Sequence, residues 1–328
     1  MRRSAVPTIL LTGATGFIGS HVAIALTAAG CEVRCATRSA AEARAKHPDR
    51  TWVELDLERP ETLGPALEGC DRAVYLVHGM GGGNKDYPEH ERVSAEAFVA
   101  AATAAKLRRV VYLGGVVPRR GASKHLRSRQ VTGEILRSGG VDTIELRAAM
   151  VIGAGSASWN MVRDLARRLP AMLLPSWLRN ISFPVAVEDV VIAIVEALGL
   201  PSTGSRVYEI PGPERITHRD LLVRAAAAMG RKSLMLSVPV LTPRLSSYWI
   251  ALVTRTSLAM AKELVEGVRH NLEPLGDSLW TQIAHQPMPL DEAIRSALLD
   301  ESVAEVPSAA MRSRLQTAGD SHRLPASA

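Results

Sequence analysis

The segment Ile9-Leu10-Leu11-Thr12-Gly13-Ala14-Thr15-Gly16-Phe17-Ile18-Gly19 constrains what this chain can fold into more than any other stretch. A short apolar run with strand character leads into three regularly spaced glycines and then into an amphipathic helical pattern. Such a junction wants glycine for three physical reasons. The chain must turn tightly, its backbone must approach a ligand with no side chain between, and the helix must pack close to the strand. The start of the helix then offers free N–H groups and the positive end of its dipole to a pyrophosphate. A glycine pattern alone is a weak signal, but between a first strand and a helix it is a strong one. Gly13, Thr15, Gly16, Phe17, Ile18 and Gly19 are therefore expected to cradle a dinucleotide.

The rest of the N-terminal half agrees. Strands are expected at Thr8–Thr12, Glu32–Thr37, Thr51–Leu55, Arg72–Val77, Arg109–Leu113 and Asp142–Leu146, alternating with helices near Phe17–Ala29, Glu61–Glu68, Glu91–Ala105 and Ser123–Arg137. Strands such as ILLT, AVYLV and VVYL are apolar on both faces, as a parallel sheet covered by helices requires. The alternation predicts a doubly wound α/β domain over residues 1–150. Beyond Met150 the pattern loosens. A helix is expected at Trp159–Leu169, and FPVAVEDVVIAIVEAL reads as a short strand entering a helix whose first turn carries Glu188 and Asp189, where acids suit the dipole. RVYEIPGPERITHRDLLVRAAAAMG reads as a strand, a turn and a helix capped by Thr217. Residues 151–302 are expected to form a smaller substrate-binding region. The Ser-, Ala-, Arg- and Pro-rich residues 303–328 are expected to be a disordered tail.

The second strand bears on which dinucleotide is bound. An acid at its end would hydrogen-bond a ribose 2′-OH and select NAD. Here it ends Cys35-Ala36-Thr37-Arg38-Ser39, with Glu32 at the opposite end. A cation without an acid favours NADP(H), with NAD(H) still admissible, because the Arg38 guanidinium can pair with a 2′-phosphate. The competing reading makes Arg38 a solvated surface residue.

Together, TGATGFIG, the pair Asp56-Leu57, the strand VYLVHG, the segment PVAVEDV and the late YEIPGPERIT resemble the extended or atypical branch of the short-chain dehydrogenase/reductase superfamily. This branch is NAD-dependent epimerase/dehydratase-like, and the layout is similar to that of the nucleotide-binding accessory subunits of respiratory complex I. The likeness covers about residues 8–230. It implies a Rossmann core with a smaller C-terminal substrate domain, and the return of residues 184–200 to the core. It also implies Asp56 and Leu57 near the adenine, and Val77 and Gly79 along the cofactor.

Active members of that superfamily carry a Ser or Thr after the fifth strand and a Tyr-x-x-x-Lys pair on the next helix. The four-residue spacing puts both side chains on one face, so that the lysine can bind the ribose and lower the tyrosine pKa. This chain has Gly114 and Gly115 at the serine position, and the register places His125 and Arg129 in the seats of the tyrosine and lysine. Three readings stay open. His125 donates or relays a proton near neutrality while Arg129 holds ribose or phosphate; or the site only binds dinucleotide, as in a redox sensor or accessory protein; or Arg119, Arg120, Lys124, Arg127 and Arg129 form a solvated basic face. Arginine does not replace lysine cleanly, since it stays protonated and is bulkier. Gly114 is also expected beside the cofactor. His78, in the glycine-rich loop Gly79–Gly83, together with Trp159 and Trp177, is a candidate substrate contact, although tryptophans at such positions are more often core.

The function expected is hydride transfer from NAD(P)H to a small apolar carbonyl, enone or quinone-like acceptor; the alternative is a non-catalytic dinucleotide-binding sensor or assembly protein. The net charge of +6 suits anionic ligands, but the basic residues cluster in one helix without a nucleic-acid reader motif, so no nucleic-acid partner is expected. Three cysteines without a CxxC argue against a disulfide framework or a zinc site. Arg2 and Arg3 before an apolar run superficially resemble a signal peptide, but glycines interrupt that run and no other segment is long enough to span a bilayer. A cytoplasmic location follows as the expectation. Tyr248, Trp249, Ile250, Leu252 and Val253 admit a peripheral membrane or partner contact, with tertiary packing favoured.

Overall fold

The computed structural model describes residues 6–78, 87–119, 121–168, 171–231, 234–238, 243–254, 257–302, 307–322 and 324, with the backbone alone at 171–174, 176–177, 234–238 and 243–246. The strands are β1 (Thr8–Leu11), β2 (Glu32–Thr37), β3 (Thr51–Glu54), β4 (Arg72–Tyr75), β5 (Arg109–Gly115), β6 (Thr143–Ala148), β7 (Val151–Ile152), β8 (Ala171–Pro175), β9 (Ile181–Ser182), β10 (Val185–Ala186), β11 (Arg206–Glu209), β12 (Ile216–Thr217) and β13 (Leu234–Val238). The α-helices are α1 (Phe17–Ala28), α2 (Ala40–Lys46), α3 (Leu63–Leu67), α4 (Tyr87–Ala104), α5 (Lys124–Ser138), α6 (Ala157–Arg168), α7 (Val187–Gly199), α8 (His218–Ala228), α9 (Pro243–Thr254), α10 (Leu258–Gly267), α11 (Leu290–Glu301) and α12 (Ala309–Ser321).

Seven strands form one sheet in the order β11-β6-β5-β4-β1-β2-β3, and every pairing in it is parallel. This is the expected doubly wound Rossmann sheet. The order in which successive strands are added reverses between β1 and β4, the point where open α/β sheets bind ligands at their carboxyl ends. Thr12 fastens that point. Its N–H donates to Val74 O at 3.0 Å, and its hydroxyl accepts from the Leu76 N–H at 3.0 Å.

Period-two alternation sorts the sheet residues onto two cores. Ile9, Leu11, Val74, Val111, Ile144 and Leu146 join α1 and α7 on one face. Leu10, Ala73, Tyr75, Val110 and Tyr112 join α3 and α4 on the other. A separate cluster holds the C-terminal region, with Trp159, Leu165, Leu221, Ile250, Val265 and Ile294 from α6, α8, α9, α10 and α11. Ile250 is thus packed, while Tyr248, Trp249 and Leu252 on the same helix are exposed. Among the described residues no helix is long and apolar enough to cross a membrane.

The disordered-tail expectation is overturned by α12. Ser308 caps it, accepting from the Met311 N–H at 3.1 Å, and Met311 and Leu315, four apart on one face, are fully buried in the core against α1. Their anchors are few and small, which is why composition alone reads as a tail. Gly319 permits the closest approach, since a Cβ there would stand 2.3 Å from Ala25 O. Glu188 and Asp189 stand in the first turn of α7, as expected, and both are buried. Arg314 of α12 pairs with Glu188 at 3.1 Å and with Asp300 at 2.7 Å. The Asp189 carboxylate meets His285 Nε2 at 2.7 Å and accepts from the Met288 N–H at 2.9 Å. Replacing Gly319 by valine should force the two helices apart and cost about 1–3 kcal/mol. A melting temperature equal to wild type would show that the contact between α1 and α12 does not bear on stability.

Candidate active site

The glycine turn has the geometry that dinucleotide binding requires. Gly13 has a φ of +64° and lies against Leu76, whose Cβ and carbonyl oxygen would both be 3.1 Å from an added Cβ. At Gly19 an added Cβ would fall 2.2 Å from Gly13 O, so only glycine lets α1 begin this close to β1. Gly16 caps α1 without any side-chain hydrogen bond, and the first turn contains no acid. The leading N–H groups and the dipole are thus left for an anion. These features fit a pyrophosphate.

The turn opens onto a cleft of about 880 Å³ at the carboxyl edge of the sheet. Gly13, Thr15, Gly16, Phe17, Ile18, Gly19, Arg38, Asp56, Leu57, Val77, His78, Gly114, His125 and Arg129, all expected at the site, line it together. Ser39 is not among the lining residues; it is the N-cap of α2. Trp159 departs from the substrate-contact expectation. It is fully buried in the C-terminal core, and its indole N–H donates to Glu301 Oε1 at 2.8 Å. Gly79, the Gly81–Gly83 loop and the side chain of Trp177 lie outside the described residues.

Arg129 sits on α5 and is buried. Its Nη2 donates to Leu113 O at the end of β5, and Tyr112 Oη donates to Arg129 O at 3.1 Å. Helix and strand are thereby locked in register, and His125 is brought one turn away over the cleft. The same arrangement explains the missing serine. A Cβ at Gly115 would meet Leu126 Cδ2 at 3.2 Å and Arg129 Nε at 3.5 Å, and one at Gly114 would meet Glu145 Oε1 at 3.1 Å. The space of a serine is partly taken by the arginine and by a buried glutamate, which Arg137 and Arg147 neutralise at 2.8 and 2.7 Å.

His125 and His78 meet edge to face, with ring centroids 6.2 Å apart. Burial first, then Arg129, then His78 push the His125 pKa down to about 3. His78 faces the open cleft, where water offsets part of the desolvation, yet the surrounding protein and then Arg129 still drive it toward the neutral ring. The near-neutral titration expected of His125 is therefore not found. Both imidazoles are neutral, and each can donate or accept a hydrogen bond without acting as a strong acid. The phenol of Tyr87 also lines the cleft, but burial, Glu263 and Glu91 raise it to about 12.

Beyond these groups the cleft acquires an apolar wall that sequence reading missed. Met260, Leu264 and Val268, successive fourth residues on α10 and just past it, line it with Met161 and Leu272. That spacing was the available signal.

Comparison with known proteins places the chain. Residues 13–164 match the NAD(P)H-binding family. A reductase of (4-alkanoyl-5-oxo-2,5-dihydrofuran-3-yl)methyl phosphate from Streptomyces griseus is 30% identical over 230 residues, covering 68% of this chain and 74% of that protein. A ceramide reductase from Caulobacter vibrioides is 24% identical over 285 residues, covering 81% and 86%. The NADP(H) complex of a Citrobacter triphenylmethane reductase shares the fold with a TM-score of 0.71 at 18% identity, covering 88% of this chain and 99% of that one. A Rossmann sheet with a glycine cradle defines a nicotinamide-dinucleotide-binding protein. Within that class the chain belongs to the NAD(P)H-binding, atypical short-chain dehydrogenase/reductase family, and its reductase relatives support an oxidoreductase role.

Neutral imidazoles leave a mark on stability. His125 takes up a proton at pH 6.5 when unfolded but only at about 3 when folded. Between those values the unfolded state binds more protons, so this group's contribution falls as pH falls. Glu209, raised to about 7 by burial, acts in the opposite sense, so the diagnostic is a difference between proteins. On passing from pH 7 to about pH 5, the melting temperature should drop more in wild type than in His125→Leu. Equal drops would mean that the folded protein accommodates a charged imidazole there.

Proposed function

We propose that this chain is an NADP(H)-preferring reductase of an apolar acceptor whose reduced form carries its charge by resonance, an enone or a quinone. The observation that carries this reading is His125, half-buried in the seat of the superfamily's tyrosine beside Arg129 and edge to face with His78. An isolated ketone yields an alkoxide on reduction and needs a strong acid beside it. An enolate or hydroquinone anion does not, and takes its proton from water. A neutral imidazole N–H aimed at the developing oxyanion is then the appropriate group, stabilising charge without transferring its proton. The Streptomyces relative is named for an oxo-dihydrofuran bearing an alkanoyl group, which agrees with an acceptor of this kind.

The bound nicotinamide supplies the hydride. The chain holds the cofactor and shapes the acceptor site. The N–H groups of Phe17, Ile18 and Gly19 receive the pyrophosphate, and Asp56 and Leu57 flank the adenine. Arg38 receives the 2′-phosphate; it is exposed on the cleft, whereas the neighbouring strand's Glu54 and Asp56 pair with Arg59 at 2.6 and 3.2 Å. Arg129, tied to β5, orients His125 and faces the ribose. The apolar wall of α10 excludes water from the acceptor.

Two measurements test this. Arg38→Ala should weaken NADPH binding about tenfold to a hundredfold, the worth of one charge-assisted contact, and leave NADH binding nearly unchanged. Equal losses for both cofactors would remove the 2′-phosphate role. With a naphthoquinone acceptor, His125→Leu should lower kcat about a hundredfold, and the wild-type rate should show no histidine ionisation between about pH 5.5 and 8. A binding-only protein would oxidise NADPH with none of a panel of quinones and enones.

A further inference from the structure

Among the polar groups that the C-terminal region contributes to the cleft, His218 is one that the reaction above does not use. His218 is the first residue of α8, fixed by the Thr217 cap, which accepts from the Asp220 N–H at 3.0 Å. Its own N–H donates to Asn180 O at 3.2 Å, and the neighbouring Ile216 pairs with Ser182 across β9 and β12. The backbone is therefore rigidly placed, yet the ring is not engaged. The residue is only 5% exposed, lines the cleft, and its Nε2 has no hydrogen-bond partner among the described residues. A buried polar atom of this kind costs about 1–3 kcal/mol unless a ligand satisfies it. Burial pushes its pKa down to about 4, and a position at a helix N-terminus disfavours the cation further. His218 thus presents a neutral imidazole.

Its surroundings narrow what it could meet. The wall beside it is apolar, made by Met161, Met260, Leu264, Val268 and Leu272. The charged side chain that this part of the cleft shows is Glu263, whose carboxyl is raised by burial and by Glu91. The arginines among the described lining residues are Arg38 and Arg129, both in the dinucleotide half, and no lysine is among them. Among the described lining residues an anionic substrate group would find no cation here; Lys124, which acts on Glu263, is not a lining residue and stands over the Tyr87 ring at 5.1 Å.

We propose that His218 is a substrate-binding residue: it hydrogen-bonds a second, uncharged polar group (a hydroxyl, amide or carbonyl) on an otherwise apolar acceptor, separate from the oxygen that His125 meets. This rests on the reductase reading above. It sets this cleft apart from that of a reductase whose substrate bears a phosphate.

Three series of benzoquinones with matched tails test it: plain alkyl, hydroxyl-ended and carboxylate-ended, on tails of roughly six to twelve carbons to span the cleft. Binding is read by calorimetric titration into protein loaded with NADP+, so it reports the contact whether or not the quinone is turned over; NADPH oxidation by the same probes tests the reductase reading separately. At the best tail length the hydroxyl-ended probe should bind at least about tenfold tighter than the plain one, and the carboxylate no tighter than the plain one. In His218→Leu the hydroxyl preference should fall to about one, and in His218→Gln it should recover in part, with NADP+ affinity the same in all three proteins. A preference unchanged in His218→Leu, a carboxylate preferred over the hydroxyl, or no discrimination by wild type would overturn the assignment.

Discussion

The approach on which the nucleotide cradle depends is between two backbones. Helix α1 begins with Gly19 against the carbonyl of Gly13, at a distance no side chain would allow. Much follows from that contact. It aims the first N–H groups of α1 at the cleft, and it presses the helix so tightly on the sheet that His21, Val22, Ala25 and Leu26 are buried. A helix with that little polar surface cannot face water on its far side either. The chain answers with α12, whose Met311 and Leu315 complete the same core, and with the Met311 thioether 2.8 Å from His21 Nε2. The phosphate cradle and the C-terminal helix are thus two consequences of one steric condition.

A second dependence runs through Arg129. Its guanidinium bonds back to β5 while lining the cleft, in the seat that the superfamily's lysine would hold. The arginine fills space near Gly115, and its charge adds to the burial that pushes the pKa of His125 and His78 down. The loss of the serine, the change from lysine to arginine and the change from tyrosine to histidine are therefore linked. All three positions share one packing arrangement at the end of β5 and the start of α5.

Much of this was legible in the sequence. The glycine triplet, the two-sided apolar strands and the order of elements specify the sheet, because parallel strands and a phosphate turn leave strong, local patterns. His125 and Arg129 could be placed by register because a four-residue spacing on a helix is preserved whatever occupies it. What was not legible depends on distant partners. The pKa of His125 is set by burial and by an arginine whose orientation no periodicity encodes. Trp159 reads as a pocket residue until Glu301, far along the chain, is found holding its indole. His218 looks like an ordinary residue after a cap, and only its burial without a ring partner distinguishes it. Helix α12 was read as a tail because its anchors are two apolar side chains and a glycine, too few to show against a small-residue background.

The pairing of α1 with α12 also orders events in time. His21 and Met311 are 290 residues apart, so during synthesis α1 is made long before the helix that covers its outer face. Closing a loop of that length is entropically slow, and contacts of such separation form late in folding. The glycine turn and its helix are therefore drafted early and finished late.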